Sequence, residues 1–263
     1  MAVSEEGASS LAKTFQILDL FTEEEPVWST AAIIDALEAT RSTGYRYIKA
    51  LHDAGLLASR NNGHYSLGPR IIEMDLKLRL TDPLLLASHG VLEELVDHIG
   101  HSATLCTAYR DSVLCIGEFR APNSPPNRFS RGQRRSLLQG AVSKVILAHL
   151  PHYRLKAFYP RQSREIEAAG LGSTWKEFRA NLGDIKKRGY HVTLGEFNPG
   201  VLGVAAPILN SQKTALGSVG VAWDESERRD IQVDHAVQAV KDAAATIAGR
   251  LLEQERDRED HER

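Results

Sequence analysis

Residues 29–70 read STAAIIDALEATRSTGYRYIKALHDAGLLASRNNGHYSLGPR, a stretch that divides into two short helices followed by a hairpin. Four residues of the second helix share the i, i+3, i+4, i+7 spacing of a buried face: Gly44, Tyr47, Ile48 and Leu51. The opposite face carries hydroxyls and cations without a carboxylate. Because hydroxyls can contact phosphates and arginine can reach base edges, this face suits a DNA major groove.

The segment after the second helix is predicted to form a hairpin, with strands at 56–60 and 64–67. Its turn, Asn61-Asn62-Gly63, contains the Asn-Gly pair that supplies the positive φ of a tight turn. A hairpin directly after such a helix is typical of the wing in a winged helix-turn-helix domain. The predicted DNA-binding residues lie on the exposed helix face and on the wing: Arg41, Ser42, Thr43, Tyr45, Arg46, Lys49 and Arg60.

The local charge of this segment also favours DNA. The whole chain has a formal net charge of -2, but residues 39–70 contain five lysines or arginines and one aspartate, a net charge of +4. Salt screens exposed charges beyond about 8–10 Å, so the local balance governs contact with phosphates. The alternative is a solvated surface helix in an ordinary helical domain, and the hairpin favours DNA binding over it.

The rest of the chain predicts an α+β protein. An opening helix at 11–22 is expected to bury Leu11, Phe15 and Leu18 together with Ile17 or Phe21. A helix at 70–80 has one apolar side: Ile71, Ile72, Leu76 and Leu80. Further helices are expected at 84–99, 141–150, 152–158, 174–188 and 228–254, and strands at 102–108, 113–119, 201–209 and 215–221. Antiparallel hairpins flanked by helices are typical of α+β domains.

The composition argues against several kinds of site. Cys106 and Cys115 lack a metal-binding spacing, so we expect buried thiols. The acidic start has no apolar signal region, and no segment approaches the ~20 apolar residues of a membrane span. These features predict a cytoplasmic protein without membrane contact. His98 and His101 lack a tight ligand pair, and no phosphate-binding glycine loop is recognisable, so we predict no cofactor, metal site or catalytic residue.

Six sequence features occur in an order known from one family. They are Ser10-Leu11-Ala12-Lys13-Thr14-Phe15-Gln16-Ile17-Leu18; Arg41-Ser42-Thr43 with Arg46; Gly55-Leu56-Leu57; Tyr65-Ser66-Leu67-Gly68-Pro69-Arg70; Ala141-Val142-Ser143-Lys144-Val145-Ile146-Leu147-Ala148; and Arg188-Gly189-Tyr190 with Glu196, Pro199-Gly200-Val201 and Ala205-Ala206-Pro207-Ile208. With these features the chain resembles the IclR family of bacterial transcriptional regulators over residues 10–254. The resemblance implies a winged helix-turn-helix DNA-binding domain at 10–69, a linker helix at 70–83 and a GAF-like effector-binding domain at 84–255.

The resemblance also implies partners. A homodimer, or a dimer of dimers, is expected to bind an inverted-repeat operator in double-stranded DNA, and a small organic acid would change that affinity. Whether the protein represses or activates transcription stays open. One alternative is a helix-turn-helix scaffold for protein interactions without ligand response. A small-molecule enzyme ranks below both, with Lys144 and its expected partner Glu196 as the candidate group.

The family's ligand site implies an effector pocket in the C-terminal domain. The carboxylate of the acid would contact the backbone amides of Gly140, Ala141 and Val142 at a helix start, where the dipole favours an anion. Residues matched by position on the later strands are Thr193, Gly203, Gly220 and Ala222, and the other wall could include Leu105, Cys106, Thr107 and Tyr109. Because most matched residues are small or apolar, we expect a bulky aromatic or alicyclic acid. The alternative is that these are ordinary core residues.

Two positions in the DNA-binding domain depart from the family pattern. Glu38, followed by Ala39, replaces the usual turn glycine, and Gly44 replaces a β-branched residue of the recognition helix. Glycine inside a helix costs about 0.5–1 kcal/mol relative to alanine. We expect a changed turn in which Tyr45 or Tyr47 fills the space beside Gly44, with DNA binding retained.

Overall fold

The computed structural model describes residues 10–122, 129–226 and 233–261. These residues form two compact units, which divide between Thr81 and Asp82. Each unit combines helices with an antiparallel sheet, which confirms the predicted α+β class.

The first unit contains a three-stranded sheet and short helices. Its helices are α1 (Ser10–Gln16), α2 (Thr30–Ala36), α3 (Arg41–Asp53) and α4 (Arg70–Thr81). Its strands are β1 (Trp28–Ser29), β2 (Leu57–Arg60) and β3 (His64–Leu67), in the order β1-β3-β2. The hairpin β2–β3 is the predicted wing. The short strand β1, which the sequence did not predict, pairs with the other side of β3.

Capping side chains fix the starts of α2 and α3. Ser29 Oγ accepts the Ala32 N–H at 3.2 Å, and Thr40 Oγ1 accepts the Thr43 N–H at 3.4 Å. All four residues of the predicted α3 stripe are buried: Gly44, Tyr47, Ile48 and Leu51. The helical period of this segment is therefore confirmed, and its polar face is left for solvent or a partner.

The opening helix is shorter than predicted. α1 ends at Gln16 and a 3-10 turn covers Ile17–Leu20, so the expected helix at 11–22 is wrong in its second half. Ile17 is buried, but Leu11 and Phe15, which were expected to face inward, are exposed. Since α1 buries none of its residues, apolar spacing over this short segment does not mark a core-facing side.

The second unit is built on a six-stranded antiparallel sheet. Its strands are β4 (Ala103–Tyr109), β5 (Ser112–Phe119), β6 (Arg134–Ser136), β7 (His191–Leu194), β8 (Val201–Leu209) and β9 (Ala215–Asp224). Their order is β6-β5-β4-β9-β8-β7, so the two predicted hairpins meet along β4 and β9. The edge strand β6 was not predicted, because three residues are too few to show a period.

Helices cover both faces of this sheet. The described helices are α5 (Pro83–Ser88), α6 (Val91–Ile99), α7 (Ala141–Ala148), α8 (His152–Phe158), α9 (Ser163–Ala168), α10 (Trp175–Arg188) and α11 (Val233–His261). The face with α5, α6 and α11 buries Leu105 and Val219, while the face with α7 and α10 buries Cys106 and Ala205. Successive strand residues thus serve two separate cores.

The helix expected at 84–99 is interrupted. Gly90, between α5 and α6, adopts φ 78°, a conformation that favours glycine, and its N–H donates to Glu93 Oε2 at 2.6 Å. The predicted helix start at 228–232 lies outside the described residues. Within the described part of the chain, no helix has the length and apolar character needed to cross a membrane.

Candidate nucleic-acid interface and ligand cavity

The polar face of α3 and the wing expose most of the predicted DNA-binding residues. Six of the seven are exposed: Arg41, Ser42, Tyr45, Arg46, Lys49 and Arg60. Thr43 is half-buried, and its hydroxyl oxygen accepts a hydrogen bond from Thr40 Oγ1 at 3.0 Å. On the wing, Arg60 Nε donates to Ser66 Oγ at 3.0 Å, which holds the guanidinium near the hairpin.

Two cations on α3 differ in their local partners. Lys49 Nζ lies 2.8 Å from Asp53 Oδ2, and this hydrogen bond raises the pKa of Lys49 above its ordinary value. Arg46 has its guanidinium carbon 5.6 Å from the centroid of the Tyr47 ring. Because Asp53 competes with phosphates for Lys49, Arg46 is the stronger candidate for contacts with base edges.

The turn between α2 and α3 is a Schellman motif with an unusual residue. The Ala39 N–H donates to the Ile34 carbonyl at 3.3 Å, and the Glu38 N–H donates to the Asp35 carbonyl at 3.0 Å. Glu38 has φ 49° at the position where glycine is common. A side chain in this left-handed conformation costs about 1 kcal/mol. The expectation of a changed turn is therefore wrong, because the turn keeps the hydrogen bonds of an ordinary Schellman motif at the cost of this strain.

Gly44 permits close packing of the two helices. A Cβ on Gly44 would lie 2.4 Å from Ile34 Cγ1. The expectation that Tyr45 or Tyr47 fills this space is therefore wrong, because Ile34 fills it and Tyr45 is exposed.

The second unit contains a cavity of about 470 Å³ on the α7 side of its sheet, within the usual range for small-molecule sites. Seven of the residues predicted for the effector line it: Gly140, Ala141, Val142, Thr193, Gly203, Gly220 and Ala222. Strand pairing brings the β-strand members together, because Thr193 is opposite Gly203, and Gly203 is opposite Ala222.

Four residues suggested for the other wall do not line this cavity: Leu105, Cys106, Thr107 and Tyr109. Leu105 faces the opposite core, and its neighbour Thr104 lines the cavity instead, because side chains alternate along a strand. Cys106 is buried with the α7 core, opposite Ser218. Tyr109 lies at the far end of β4 from the cavity-lining Thr104.

Two glycines of the lining accommodate their neighbours and leave little open space. A Cβ on Gly220 would lie 2.3 Å from Val142 Cγ1, and one on Gly203 would lie 3.1 Å from Thr193 Oγ1. The small size of these two residues therefore gives space to Val142 and Thr193, and does not by itself indicate a bulky ligand. Ala222 is exposed and lines the cavity, so it is the better position at which to change the cavity's size.

A buried ion pair stands at the start of α7. Lys144 Nζ lies 2.7 Å from Glu196 Oε1, with side chains 4% and 30% exposed. The second carboxylate oxygen of Glu196 accepts the Gly140 N–H at 3.0 Å. Glu196 thus accepts the hydrogen bond of one of the three backbone amides that were expected to bind the ligand. The other two amides, those of Ala141 and Val142 at the first positions of α7, have no acceptor within the helix. The predicted pairing of Lys144 with Glu196 is confirmed.

His191 on β7 lies close enough to this ion pair to respond to its charges. Burial, and then the charge of Lys144, lower the pKa of His191 to about 4. Its Nδ1 is buried and has no hydrogen-bond partner among the described residues. The imidazole is therefore neutral at physiological pH.

Arg135, which the sequence did not mark, also lines the cavity. Its guanidinium carbon lies 3.8 Å from the centroid of the Phe129 ring and 3.5 Å from that of Phe197. Burial lowers the pKa of Arg135 to about 10, so the group stays charged at neutral pH. Because it stands in the short strand β6, within a segment rich in arginine, no periodicity distinguishes it from surface charge.

Family models match both units of the chain. The IclR helix-turn-helix domain matches residues 10–60, and the C-terminal domain of the bacterial transcriptional regulator IclR matches residues 81–249. The chain belongs to the IclR family. The IclR helix-turn-helix match includes α3, and the IclR C-terminal match includes all described residues that line the cavity.

Individual IclR relatives are distant but similar in length. The chain is 19% identical to the HTH-type transcriptional regulator KipR of Bacillus subtilis, over 92% of this chain and 96% of the relative. It is 23% identical to the HTH-type transcriptional regulator BhcR of Paracoccus denitrificans, over 92% and 87%. Both relatives are named as transcriptional regulators, in agreement with the two IclR domains of this chain.

Solved IclR structures share the fold. One from Alicyclobacillus acidocaldarius has a TM-score of 0.74 at 24% identity, covering 92% of this chain and 98% of that one. An IclR homolog from Microbacterium hydrocarbonoxydans, complexed with 4-hydroxybenzoate, has a TM-score of 0.71 at 19% identity, covering 92% and 99%.

In residues 10–122, 129–226 and 233–261, no group of three or more His, Cys, Asp or Glu side chains could hold a metal ion. Cys106 and Cys115 are free and buried.

Proposed function

We propose that this IclR-family chain is a ligand-responsive regulator whose C-terminal domain binds a small organic acid and thereby changes operator binding. The observation that carries this proposal is the cavity at the start of α7, which combines the volume for a small molecule with amides and a cation that favour an anion. In this proposal, residues 10–69 bind DNA, residues 70–83 link the domains and residues 84–255 bind the effector.

The proposed ligand is an aromatic or similarly bulky carboxylic acid. Phe129 and Phe197 contribute apolar surface to the lining. A keto acid of two or three carbons would leave most of the 470 Å³ unfilled. The Microbacterium relative that binds 4-hydroxybenzoate supports an acid of this class.

The proposed DNA complex is a homodimer, or a dimer of dimers, on an inverted repeat. α3 would enter the major groove, with Arg46 at base edges and Ser42 at phosphates. The exposed apolar residues Ile72, Leu76 and Leu80 of α4 are the proposed contact between subunits. Two-fold symmetry of the protein would then be matched by the operator.

A gel-shift titration on the promoter beside its own gene tests the proposal. The acids compared are benzoate, 4-hydroxybenzoate, glyoxylate and pyruvate. We expect specific DNA binding whose midpoint moves by roughly 5- to 150-fold with an aromatic acid, the usual range of allosteric coupling. A response to glyoxylate or pyruvate alone would contradict the bulky-acid assignment. Failure to bind any DNA would favour the scaffold alternative.

A further inference from the structure

The guanidinium of Arg135 is held by two aromatic rings in the cavity wall. Its central carbon lies 3.8 Å from the Phe129 centroid and 3.5 Å from the Phe197 centroid. Two rings so close to one carbon must lie on opposite faces of the guanidinium plane. Cation–π contacts therefore use the faces of the group, and its N–H edge is left for an acceptor in the same plane.

The charge of Arg135 has no carboxylate partner among the described residues. Its Nε is buried without a hydrogen bond there. Residues 123–128, which lie outside the described part, read NSPPNR and contain no acid. Glu196 is held by Lys144 and the Gly140 amide, and Asp224, which also lines the cavity, accepts hydrogen bonds from Ser226. A partly buried cation without a counter-charge is costly unless a ligand supplies one.

The position of Arg135 adds a second anion-binding feature to the start of α7. A Cβ placed on Gly140 would lie 3.8 Å from Arg135 Nη1. The guanidinium edge is thus next to the helix N-terminus, where the amides of Ala141 and Val142 have no intrahelical acceptor. One carboxylate could contact both features at once.

We propose that Arg135 is the residue that binds the carboxylate of the effector, edge-on and through paired N–H···O hydrogen bonds. This inference rests on the proposed function and refines it. Planar pairing with guanidinium selects a carboxylate over a neutral amide or alcohol. The negative charges of Glu196 and Asp224 in the lining disfavour a second carboxylate on the ligand. The proposed class is therefore a flat aromatic monocarboxylate.

Calorimetry with matched ligands and matched variants tests this assignment. The probes are benzoate and 4-hydroxybenzoate, each with its amide, benzamide or 4-hydroxybenzamide, which keeps the shape and loses the charge. The variant Arg135→Gln is compared with Arg134→Gln, which removes the same charge from the neighbouring, exposed residue of β6. We expect Arg135→Gln to weaken acid binding roughly 10- to 100-fold, the loss of a charge-assisted hydrogen bond, and Arg134→Gln to change it less than about 2-fold.

Stability of the unliganded protein separates a binding role from a structural one. Arg135→Met keeps the packing between the rings and removes the charge, so its thermal midpoint without ligand should equal or exceed that of the wild type. Equal acid affinities in Arg135→Gln and Arg134→Gln would overturn the inference and leave the proposed function standing. An equal loss of acid and amide binding would also overturn it. If the wild type binds none of the acids, both the inference and the proposed ligand class fail.

Discussion

Breaking the Lys144–Glu196 pair from the Glu196 side should strongly destabilise the second unit. Lys144 is almost completely buried, with Nζ 2.7 Å from the carboxylate, so Glu196→Gln would leave its charge with only the Ala169 carbonyl at 3.3 Å. Breaking a buried pair from one side costs about 3–5 kcal/mol. Because Glu196 is 30% exposed, water can enter, and we expect the lower end, about 3 kcal/mol.

Removing the other partner should cost less. Lys144→Met leaves Glu196 with the Gly140 N–H and partial access to water, a loss of about 1 kcal/mol. If the pair acts as a unit, the double variant should also lose about 1 kcal/mol rather than about 4, a coupling of about 3 kcal/mol.

Urea unfolding in a Trp28→Phe background isolates this effect, since the two remaining tryptophans, Trp175 and Trp223, belong to the second unit. Asp111→Asn is the control, because its pair with Arg161 is 3.1 Å long with both side chains about half exposed. We expect that control to leave the urea midpoint unchanged. A Glu196→Gln midpoint no lower than that of Asp111→Asn would refute the reasoning.

Other expectations concern the two sites and the titration of the protein. Arg46→Ala should cost about 1–3 kcal/mol of operator binding and reduce sequence specificity at one base pair per half-site. Lys49→Ala should weaken binding to all DNA sequences alike and reduce the salt dependence of binding. Fluorescence anisotropy measures both effects, and an unchanged affinity in Arg46→Ala would assign another face of the helix to the groove. Ala222→Phe should abolish calorimetric binding of aromatic acids and spare operator binding, and retained acid affinity would exclude this cavity. Stability should fall as the pH drops from about 6.5 toward 4. In this range His191 takes up a proton in the unfolded state but stays neutral in the folded state, where its pKa is lowered to about 4. The pH dependence of the urea midpoint should therefore be weaker in His191→Gln, and an unaltered pH dependence would assign the effect to other groups. Gly44→Ala should destabilise the first unit by roughly 1–2 kcal/mol despite the better helix propensity of alanine, because the new Cβ would overlap Ile34. A raised melting temperature, measured by circular dichroism, would contradict close packing between Gly44 and Ile34.

Helical spacing was sufficient to locate the first unit's core and its polar face. The stripe that begins at Gly44 is buried as predicted, because a helix of thirteen residues repeats its pattern several times. The same reasoning failed at Leu11 and Phe15, where the helix has only seven residues and buries none of them. The two helices differ in length, so the apolar spacing repeats several times in α3 but hardly at all in α1.

The cavity could be predicted only where a local motif marks it. Gly140 stands at a helix start, which sequence can identify, whereas Leu105 was assigned to the wrong face because one residue reverses the side of a strand. Val142 against Gly220 is a contact between residues far apart in sequence. Arg135 depends on two phenylalanines from separate loops, and no short-range pattern reports such a meeting.

Glu38 in the turn and Gly44 in the recognition helix both depart from the family pattern. The packing around them limits the order in which these residues could be replaced without loss of stability. Restoring a β-branched residue at position 44 would force it into Ile34, and shrinking Ile34 first would leave a void in the core of the first unit. Each of these two substitutions, if made first, would destabilise the first unit. Glu38→Gly is independent of both, and its relief of a positive φ supplies about 1 kcal/mol. Substitutions toward the residues common in the family therefore destabilise the protein least when Glu38→Gly comes first. Packing between the two helices, rather than contact with DNA, determines this order.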